Sequence, residues 1–272
     1  HMGEKQGRAI HETAIVSPGA EISGGVRIGP YAVIGDRVTI GEGTLVGPHT
    51  VIDGPTVIGK GNQIIGQSAI GTIPQDLKYQ DEETFLSIGD LNIIREFVTI
   101  NRGTEGGGGK TTVGDMNLLM TGVHIAHDCH VGQRNILANA ATLAGHVDVE
   151  DDSTVGAFSG VHQDCRVGAH AFVGGYSVLT RDALPFVTTV GHRNQAKIYG
   201  INSLGLRRKK FSAKRIKALK EAYRWLFQKG LKLQEAIEVI RSEDLETEDV
   251  SVLIQFVETS KRGFVRDVSS DE

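Results

Sequence analysis

The stretch VGDMNLLMTGVHIAHDCHV, residues 113–131, contains the pattern that decides the fold. From Val113 to Leu179 an aliphatic residue recurs every six positions without exception. These positions are Val113, Leu119, Ile125, Val131, Leu137, Leu143, Val149, Val155, Val161, Val167, Val173 and Leu179. A period of six does not fit an α-helix, because at about 100° per residue successive positions would be rotated by roughly 240° and would fall on different faces.

A period of six does fit an extended chain, because residues an even number of positions apart point to the same side of a strand. The residue two positions before each aliphatic residue is usually small or weakly polar, as at Cys129, Asn135 and Ser153, and is expected to point inward as well. Glycine often follows the aliphatic residue and suits a corner. Short strands in an unbroken repeat are typical of a β-solenoid, in which each coil packs only on its neighbours. The predicted fold class is therefore all-β, a parallel β-helix of hexapeptide repeats.

The same period begins near the N-terminus and is interrupted twice. It runs from Ile10 to Ile70, resumes at Ile88, and is absent from residues 72–87 and 101–110. Such interruptions predict loops that leave a corner of the solenoid. Loops of this kind cost little closure entropy and commonly add a wall to a binding site.

A small α-helical C-terminal domain is predicted after the repeats. Ser212 is expected to cap a helix that ends at Gly230, a second helix contains Ile237, and a third begins after Thr247. We therefore divide the chain into a β-helix domain over residues 1–190 and a helical domain over residues 191–272. The polar tail, residues 267–272, is expected to fray.

Composition limits the possible functions and the compartment. The net charge of -4 does not favour a nucleic-acid-binding protein, and without a run of about 18 apolar residues no membrane span is predicted. If a coil takes 18 residues, Cys129 and Cys165 lie two coils apart, roughly 9–10 Å at about 4.8 Å per layer, which is too far for a disulfide. Two reduced core cysteines suit a cytoplasmic protein. His1 before Met2 looks like a remnant of expression cloning.

Six histidines cluster in the second run of repeats, and none occupies an inward position. They are His124, His127, His130, His146, His162 and His170. They are therefore expected at corners or on outer faces, where an imidazole can reach a substrate.

Four short motifs around these histidines carry a resemblance to a known family. They are His124-Ile-Ala-His127-Asp128-Cys129, Leu143-Ala-Gly145-His146-Val147, Val161-His162-Gln163 and, in the first loop, Gln75-Asp76-Leu-Lys78-Tyr79. Together they resemble the UDP-N-acetylglucosamine O-acyltransferases, and the resemblance extends from about Ile10 into the helical tail. The repeat alone would indicate only the larger hexapeptide-transferase superfamily. The resemblance implies a left-handed, three-sided β-helix with about 18 residues per coil, assembled as a homotrimer.

The family activity implied is transfer of a 3-hydroxyacyl chain from acyl carrier protein to the 3-position of UDP-N-acetylglucosamine, the first step of lipid A biosynthesis, with no cofactor and no metal. Proton removal from a sugar hydroxyl suits imidazole, whose reference pKa is near 6.5. A neighbouring carboxylate can orient the imidazole, and a backbone N–H can stabilise an oxyanion. By resemblance His127 is the base, Asp128 its partner and Gly145 the oxyanion donor.

The resemblance also implies binding residues. Substrate contacts are expected from Asp76, Lys78, His124, His146, His162, Gln163, Asn202 and Arg208, and an acyl-chain pocket is expected at Gly174 and Gly175. Three positions depart from the family pattern. Leu204 stands where an acidic residue contacts the nucleotide, Asp164 where an aromatic residue is common, and Asn101 where histidine is common.

Four other interpretations of the sequence remain open. The sister N-acyltransferase would use the same base on an amine, and an acetyl-coenzyme A-dependent hexapeptide transferase would share the repeat. The Gln75–Tyr79 loop and the helical tail favour the O-acyltransferase over both. A zinc enzyme of the carbonic-anhydrase type needs a paired histidine spacing that these histidines lack. A non-catalytic structural solenoid would bind no nucleotide sugar.

Overall fold

The computed structural model describes residues 9–269. His1 and Met2, interpreted above as a cloning remnant, and residues 270–272 of the tail lie outside the described residues. The repeats form three parallel sheets that wrap around one core as a left-handed parallel β-helix, which confirms the predicted fold class. Consecutive strands belong to different sheets, so the chain visits the three faces in turn.

The three faces contain the following strands. The first face contains β1 (Ala9–Ile10), β4 (Arg27–Ile28), β7 (Leu45–Val46), β10 (Gln63–Ile64), β13 (Ile93–Ile94), β16 (Leu118–Leu119), β19 (Ile136–Leu137), β22 (Thr154–Val155), β25 (Phe172–Val173), β27 (Val187–Val190) and β28 (Lys197–Ile201). The second face contains β2 (Ile15–Val16), β5 (Val33–Ile34), β8 (Val51–Ile52), β11 (Ala69–Thr72), β14 (Thr99–Asn101), β17 (His124–Ile125), β20 (Thr142–Leu143), β23 (Gly160–Val161) and β26 (Val178–Leu179). The third face contains β3 (Glu21–Ile22), β6 (Val38–Ile40), β9 (Thr56–Ile58), β12 (Phe85–Ile88), β15 (Lys110–Val113), β18 (His130–Val131), β21 (Asp148–Val149) and β24 (Arg166–Val167).

The strand pairing shows the length of a coil and the position of the insertions. Arg27 pairs with Ala9 and then with Leu45, so an uninterrupted coil takes 18 residues. The first insertion lies between β11 and β12, and the second lies between β14 and β15. The strand-free parts are residues 73–84 and 102–109, slightly shorter than the interruptions in the sequence pattern.

The periodic aliphatic residues form the core, as predicted. Every one from Val113 to Leu179 is at most 3% exposed. Ile10 is 42% exposed because it belongs to the terminal coil, which has a neighbour on one side only. Burial of each such side chain stabilises the fold by about 1.5–3 kcal/mol before chain entropy is considered.

The corners have a regular backbone conformation that the pattern did not reveal. The third residue after an inward aliphatic residue has a left-handed conformation, as at Asp128, His146 and Asp164, with φ of 60°, 61° and 63°. Most of these corner residues are not glycine. The glycine directly after the aliphatic residue serves close stacking instead, since a Cβ on Gly114 would lie 2.6 Å from the Gly132 carbonyl oxygen of the next coil.

A column of buried asparagines runs inside the first face. The Asn117 side chain donates to Asn92 Oδ1 at 3.0 Å and to the Gly132 carbonyl at 2.9 Å. Its own oxygen accepts the backbone N–H of Asn135 at 2.9 Å. The column begins at Asn62 and ends on Ser153. Buried amides of this kind are tolerated because most of their hydrogen bonds are made between coils, and only Asn135 Nδ2 in the described column lacks a partner.

The helical domain contains α1 (Ser203–Arg208), α2 (Ala213–Tyr223), α3 (Leu233–Ser242) and α4 (Glu248–Thr259), and α2 continues as a π-helical turn over Arg224–Gln228. Ser212 and Thr247 cap α2 and α4 as predicted, accepting the N–H groups of Arg215 and Val250. The short α1 had no clear signal in the sequence.

The end of the solenoid differs from the sequence-based division. Strand β28 pairs antiparallel with β27, so the first face continues past residue 190 as far as Ile201. Residues 267–269, the described part of the tail, are held in place, because the Ser269 N–H donates to the Ile198 carbonyl at 3.0 Å and the Ile198 N–H donates to the Asp267 carbonyl. Burial of the strand edge at Ile198 favours this pairing, since unpaired buried backbone groups are costly.

The two cysteines are free and buried, as the coil spacing predicted. Burial raises the pKa of the Cys129 thiol to about 12 and that of Cys165 to about 11. Both therefore behave as small core residues. Among residues 9–269, no helix is both long and apolar enough to cross a lipid bilayer.

We expect Leu137→Asp to abolish folding, because the side chain is fully buried in the aliphatic core and the new carboxylate would find no partner there. Loss of the leucine and burial of a carboxyl group each cost several kcal/mol, so that together they are comparable with a typical stability of about 5–15 kcal/mol. Thr39→Asp, on the outward side of β6, is the matched control and should leave the melting temperature within a few degrees. A soluble Leu137→Asp variant with an unshifted melting transition would contradict this account of the core.

Candidate active site

His127 and Asp128 form the corner between the second and third faces. Strand β17 leads into the corner and β18 leads out of it. The left-handed backbone at Asp128 turns the chain, so both side chains leave the core. The corners of the next two coils place Gly145 with His146, and Gln163 with Asp164, along the same edge. At about 4.8 Å per coil, residues from these three corners lie within reach of one another.

His127 and Asp128 are hydrogen bonded in a buried environment. His127 Nδ1 lies 2.8 Å from Asp128 Oδ2, and the Asp128 side chain has no exposed surface. An ionised carboxylate can only accept hydrogen bonds, so the contact places the hydrogen on Nδ1. The lone pair on His127 Nε2 is then available to accept a proton.

Gly145 lies directly against the His127 ring. A Cβ atom on Gly145 would be 2.5 Å from His127 Cε1 and 2.8 Å from Nε2. Only a glycine allows this approach. The Gly145 N–H has no hydrogen-bond partner among residues 9–269, whereas the neighbouring His146 N–H donates to the His127 carbonyl. The residue that packs against the imidazole therefore carries an unpaired backbone donor.

His146 completes a compact cluster with the pair. Its Nε2 lies 3.8 Å from Asp128 Oδ2, and its ring meets the His127 ring edge-on with centroids 5.1 Å apart. One ligand atom from each of His127, Asp128 and His146 lies within 4.8 Å of the others, a spacing that could hold a metal ion. Both Asp128 oxygens already accept hydrogen bonds from Thr104, which favours an acid–base pair over a metal centre. The absence of a catalytic metal stays a prediction.

His124 lies three residues before His127, on the outward side of β17. Its Nδ1 lies 2.7 Å from Thr99 Oγ1. Burial, and then the charge of His127, lower the pKa of His124 below its ordinary value. His124 is therefore neutral at pH 7 and can offer either a donor or an acceptor to a ligand.

The loop at residues 73–84 presents Asp76 and Lys78. Asp76 Oδ1 accepts the Lys78 backbone N–H at 2.9 Å, which fixes the turn, and the Lys78 side chain is exposed. The base of the loop is held by Arg102, a buried arginine that donates to the Gly71 carbonyl at 2.7 Å and to Tyr79 Oη at 3.2 Å. The role of Arg102 could not be predicted from the sequence, because nothing in its neighbourhood indicates burial.

His162 and Gln163 belong to the third corner of the edge. His162 Nδ1 lies 2.9 Å from Arg262 Nη2, a contact made by the segment after α4, and Gln163 is exposed. Both residues lie along the same edge as His127, two coils further on. Arg262 was also missed, since it lies 100 positions away in the chain.

Asn202 and Arg208 lie elsewhere in the chain. They line a groove of about 460 Å³ on the first face, together with Leu204, Lys209 and Phe172. Asn202 caps α1 by accepting the Gly205 N–H, and Arg208 is exposed at the rim. Within one chain the groove and the His127 corner belong to different sides of the prism, so the predicted site residues form two groups.

Gly174 and Gly175 have different surroundings. A Cβ on Gly174 would lie 2.6 Å from Val190 Cγ2, so packing on the next coil alone accounts for this glycine. Gly175 is exposed, with no atom closer than 3.3 Å to such a Cβ. An acyl-chain pocket at these two positions stays a prediction.

Two family models match parts of the chain. The model described as bacterial transferase hexapeptide (six repeats) matches residues 19–54, and the one described as UDP N-acetylglucosamine O-acyltransferase, domain 2, matches residues 182–265. A protein of Alkalilimnicola ehrlichii named acyl-[acyl-carrier-protein]–UDP-N-acetylglucosamine O-acyltransferase is 53% identical over 257 residues, which cover 94% of this chain and 99% of the relative. A protein of the same name from Xylella fastidiosa is 50% identical, covering 96% and 99%.

The chain belongs to the UDP-N-acetylglucosamine O-acyltransferase family. It is therefore an enzyme, an acyltransferase, and the non-catalytic solenoid is excluded. Solved structures agree. A UDP-N-acetylglucosamine O-acyltransferase from Moraxella catarrhalis matches with a TM-score of 0.90 and 44% identity, covering 94% of this chain and 99% of that one. The UDP-N-acetylglucosamine acyltransferase of Francisella novicida matches with 0.91 and 39%, covering 95% and 94%.

We expect Gly145→Ala to lower acyltransferase activity by about 100-fold or more, because the added methyl group would displace the His127 ring and misplacement by about 1 Å has effects of this size. Gly106→Ala is the control, since a Cβ at Gly106 meets open space. Both variants should fold, which circular dichroism checks. Full activity of Gly145→Ala would show that the close approach to His127 has no part in the reaction.

Proposed function

We propose that the enzyme transfers a 3-hydroxyacyl chain from acyl carrier protein to the 3-hydroxyl of UDP-N-acetylglucosamine, the first step of lipid A biosynthesis, and that it works in the cytoplasm. The observation that carries this proposal is the buried His127–Asp128 pair beside the free N–H of Gly145. The names of the relatives supply the substrates.

In the proposed mechanism His127 Nε2 takes the proton of the sugar 3-hydroxyl as its oxygen attacks the thioester carbonyl. Asp128 holds the Nδ1–H and stabilises the imidazolium that forms. The Gly145 N–H donates to the oxyanion of the tetrahedral intermediate. Collapse breaks the carbon–sulfur bond, and the imidazolium returns its proton to the departing thiolate of the carrier protein. Atoms and charge balance without a cofactor.

Substrate contacts follow from the positions along the corner edge. His124, His146, His162 and Gln163 are assigned to the sugar and acyl groups near His127, and Asp76 and Lys78, on the loop at residues 73–84, are assigned to the sugar nucleotide. Asn202 and Arg208 are assigned to the nucleotide. An exposed cation suits phosphate, whereas the uncharged Leu204 cannot make the nucleotide contact expected of an acidic residue at its position. Gly174 and Gly175 are assigned to the acyl-chain wall.

A homotrimer is proposed because two of the three outer faces are more apolar than the third. Outward side chains of the first face include Leu45, Ile93, Leu118, Ile136 and Phe172, and those of the second include Ile15, Val33, Val51 and Val178. The third face is mostly polar, with Glu21, Thr39, Ser87, Thr112, His130, Asp148 and Arg166. Packing the first face of one copy on the second face of the next would bring the Arg208 groove of one subunit to the His127 corner of its neighbour.

The basic residues beside Arg208, namely Arg207 and Lys210, are proposed to dock the acidic carrier protein. Lys209 Nζ already binds Asp152 at 2.8 Å, whereas Arg207, Arg208 and Lys210 are exposed. Charges of this kind mainly raise the rate of association and weaken with salt.

We expect His127→Ala to lower turnover by about 100- to 10,000-fold, the usual contribution of a general base, while the oligomer persists. The assay is mass-resolved acyl transfer with UDP-N-acetylglucosamine and its 3-amino analogue, using 3-hydroxyacyl carrier proteins of several lengths. Preference for the 3-amino analogue would favour the sister N-acyltransferase. Retention of more than about a tenth of the activity would remove His127 from the role of base.

Mixed oligomers test whether a site is shared between subunits. We expect inactive His127→Ala and Arg208→Ala chains to regain activity when they are refolded together, because random trimers would contain about a quarter of interfaces with both native residues. Each variant mixed with itself is the control. If every site is formed by one chain alone, the mixture will stay inactive.

A further inference from the structure

The second inserted loop, residues 102–109, closes over the Asp128 side chain. Its first part is buried, with Thr104 only 7% exposed, and Glu105 and Gly106 lie on the outside. The loop is anchored at its base, where the Gly103 N–H donates to the Phe85 carbonyl at 3.2 Å. This loop explains why Asp128 has no exposed surface although it stands at a corner of the prism.

Thr104 binds both oxygens of the Asp128 carboxylate. Its backbone N–H donates to Oδ1 at 2.8 Å, and its hydroxyl donates to Oδ2 at 2.6 Å. Oδ2 is also the oxygen that faces His127 Nδ1. Two bonds from one residue fix the plane of the carboxylate, and hydrogen bonds to a charged group are among the strongest in proteins.

The direction of the Thr104 hydroxyl is fixed by the loop itself. Its oxygen accepts the Gly107 N–H at 3.2 Å, as the cap of the short 3₁₀ turn Glu105–Gly107. A hydroxyl has one hydrogen to donate. With the acceptor side occupied by the turn, that hydrogen points at Asp128.

Gly107 packs closely against the same Asp128 carboxylate. A Cβ atom on Gly107 would overlap Cγ, Oδ1 and Oδ2 of Asp128, whereas one on Gly106 would meet no atom within 4 Å. Gly106 and Gly107 therefore have different surroundings. Gly106 faces open space, whereas Gly107 must lack a side chain for the loop to close on Asp128.

We propose that Thr104 is a positioning residue for the reaction, acting through Asp128, and that Gly107 lets the loop hold it there. This inference rests on the proposed function. By donating two hydrogen bonds, Thr104 holds the buried Asp128 carboxylate in the plane that orients the His127 imidazole. The second insertion thereby serves the catalytic pair rather than a substrate.

The central test compares Thr104→Val with Thr104→Ser in the full-length enzyme by acyl transfer to UDP-N-acetylglucosamine. Valine keeps the backbone N–H and the shape but removes the hydroxyl. We expect Thr104→Val to lower kcat by about tenfold or more, the effect of losing a bond to a charged group, with KM unchanged. Thr104→Ser should stay within about threefold. Equal kcat for wild type and Thr104→Val would overturn the proposal.

A double-mutant cycle with Asp128→Asn separates positioning from general loosening of the loop. If Thr104 acts only through the carboxylate, Thr104→Val should lower the residual rate of Asp128→Asn by less than about twofold. Multiplication of the two separate losses would overturn the proposal, because it would mean that Thr104 supports the enzyme by another route.

The glycine pair provides a second measurement that does not depend on the hydroxyl. Gly107→Ala should lower kcat by about tenfold or more, and Gly106→Ala should keep the wild-type rate. If both variants are equally active, the loop does not hold Asp128. Failure of the wild-type enzyme to transfer any acyl chain would instead refute the proposed function, so the two failures are distinguishable.

Discussion

The stacking of 18-residue coils is the constraint on which the rest of the structure depends. Because each coil repeats the same path, residues that share a position in successive coils form columns at the spacing of paired strands. The buried aliphatic columns hold the prism together. At the corner between the second and third faces the same rule brings His127 next to Gly145 and Asp128 near His146. A reactive cluster therefore requires only that suitable residues occupy the same corner position in successive coils.

Insertions are the second feature that shapes the site, because each one changes one corner of the prism without disturbing the coils on either side. Strand pairing continues across both loops, from Gln63 to Ile93 and from Leu86 to Thr111. Each loop supplies the polar groups that a regular corner lacks. The first loop presents Asp76 and the exposed Lys78, and the second loop covers the Asp128 carboxylate. Loop closure of this length costs little, so such additions are compatible with a rigid core.

The sequence predicted those parts of the fold that depend on periodicity. The hexads identified the solenoid, its core and the two insertions, and capping residues such as Ser212 identified the main helices. The contacts of Thr104 and Arg102 could not be predicted, because they depend on the path of irregular loops across the surface. The same is true of β28, whose pairing with β27 is decided by a strand edge that had to be covered. The separation of Arg208 from His127 also became visible only when each residue was assigned to a face.

The asparagine column has a consequence for how the chain finds its register. Six-residue repeats are nearly interchangeable, so a growing coil could wind one hexad too far and still bury aliphatic residues. Asn62, Asn92, Asn117 and Asn135 occupy the inward position of one face only, and each bonds to the coil before or after it. A misregistered coil would set these amides against residues such as Val123 or Cys129, which offer no matching bonds, and leaving buried amides unpaired costs several kcal/mol in total. The column therefore makes coils with the wrong register less stable, and it distinguishes the first face from the other two during folding.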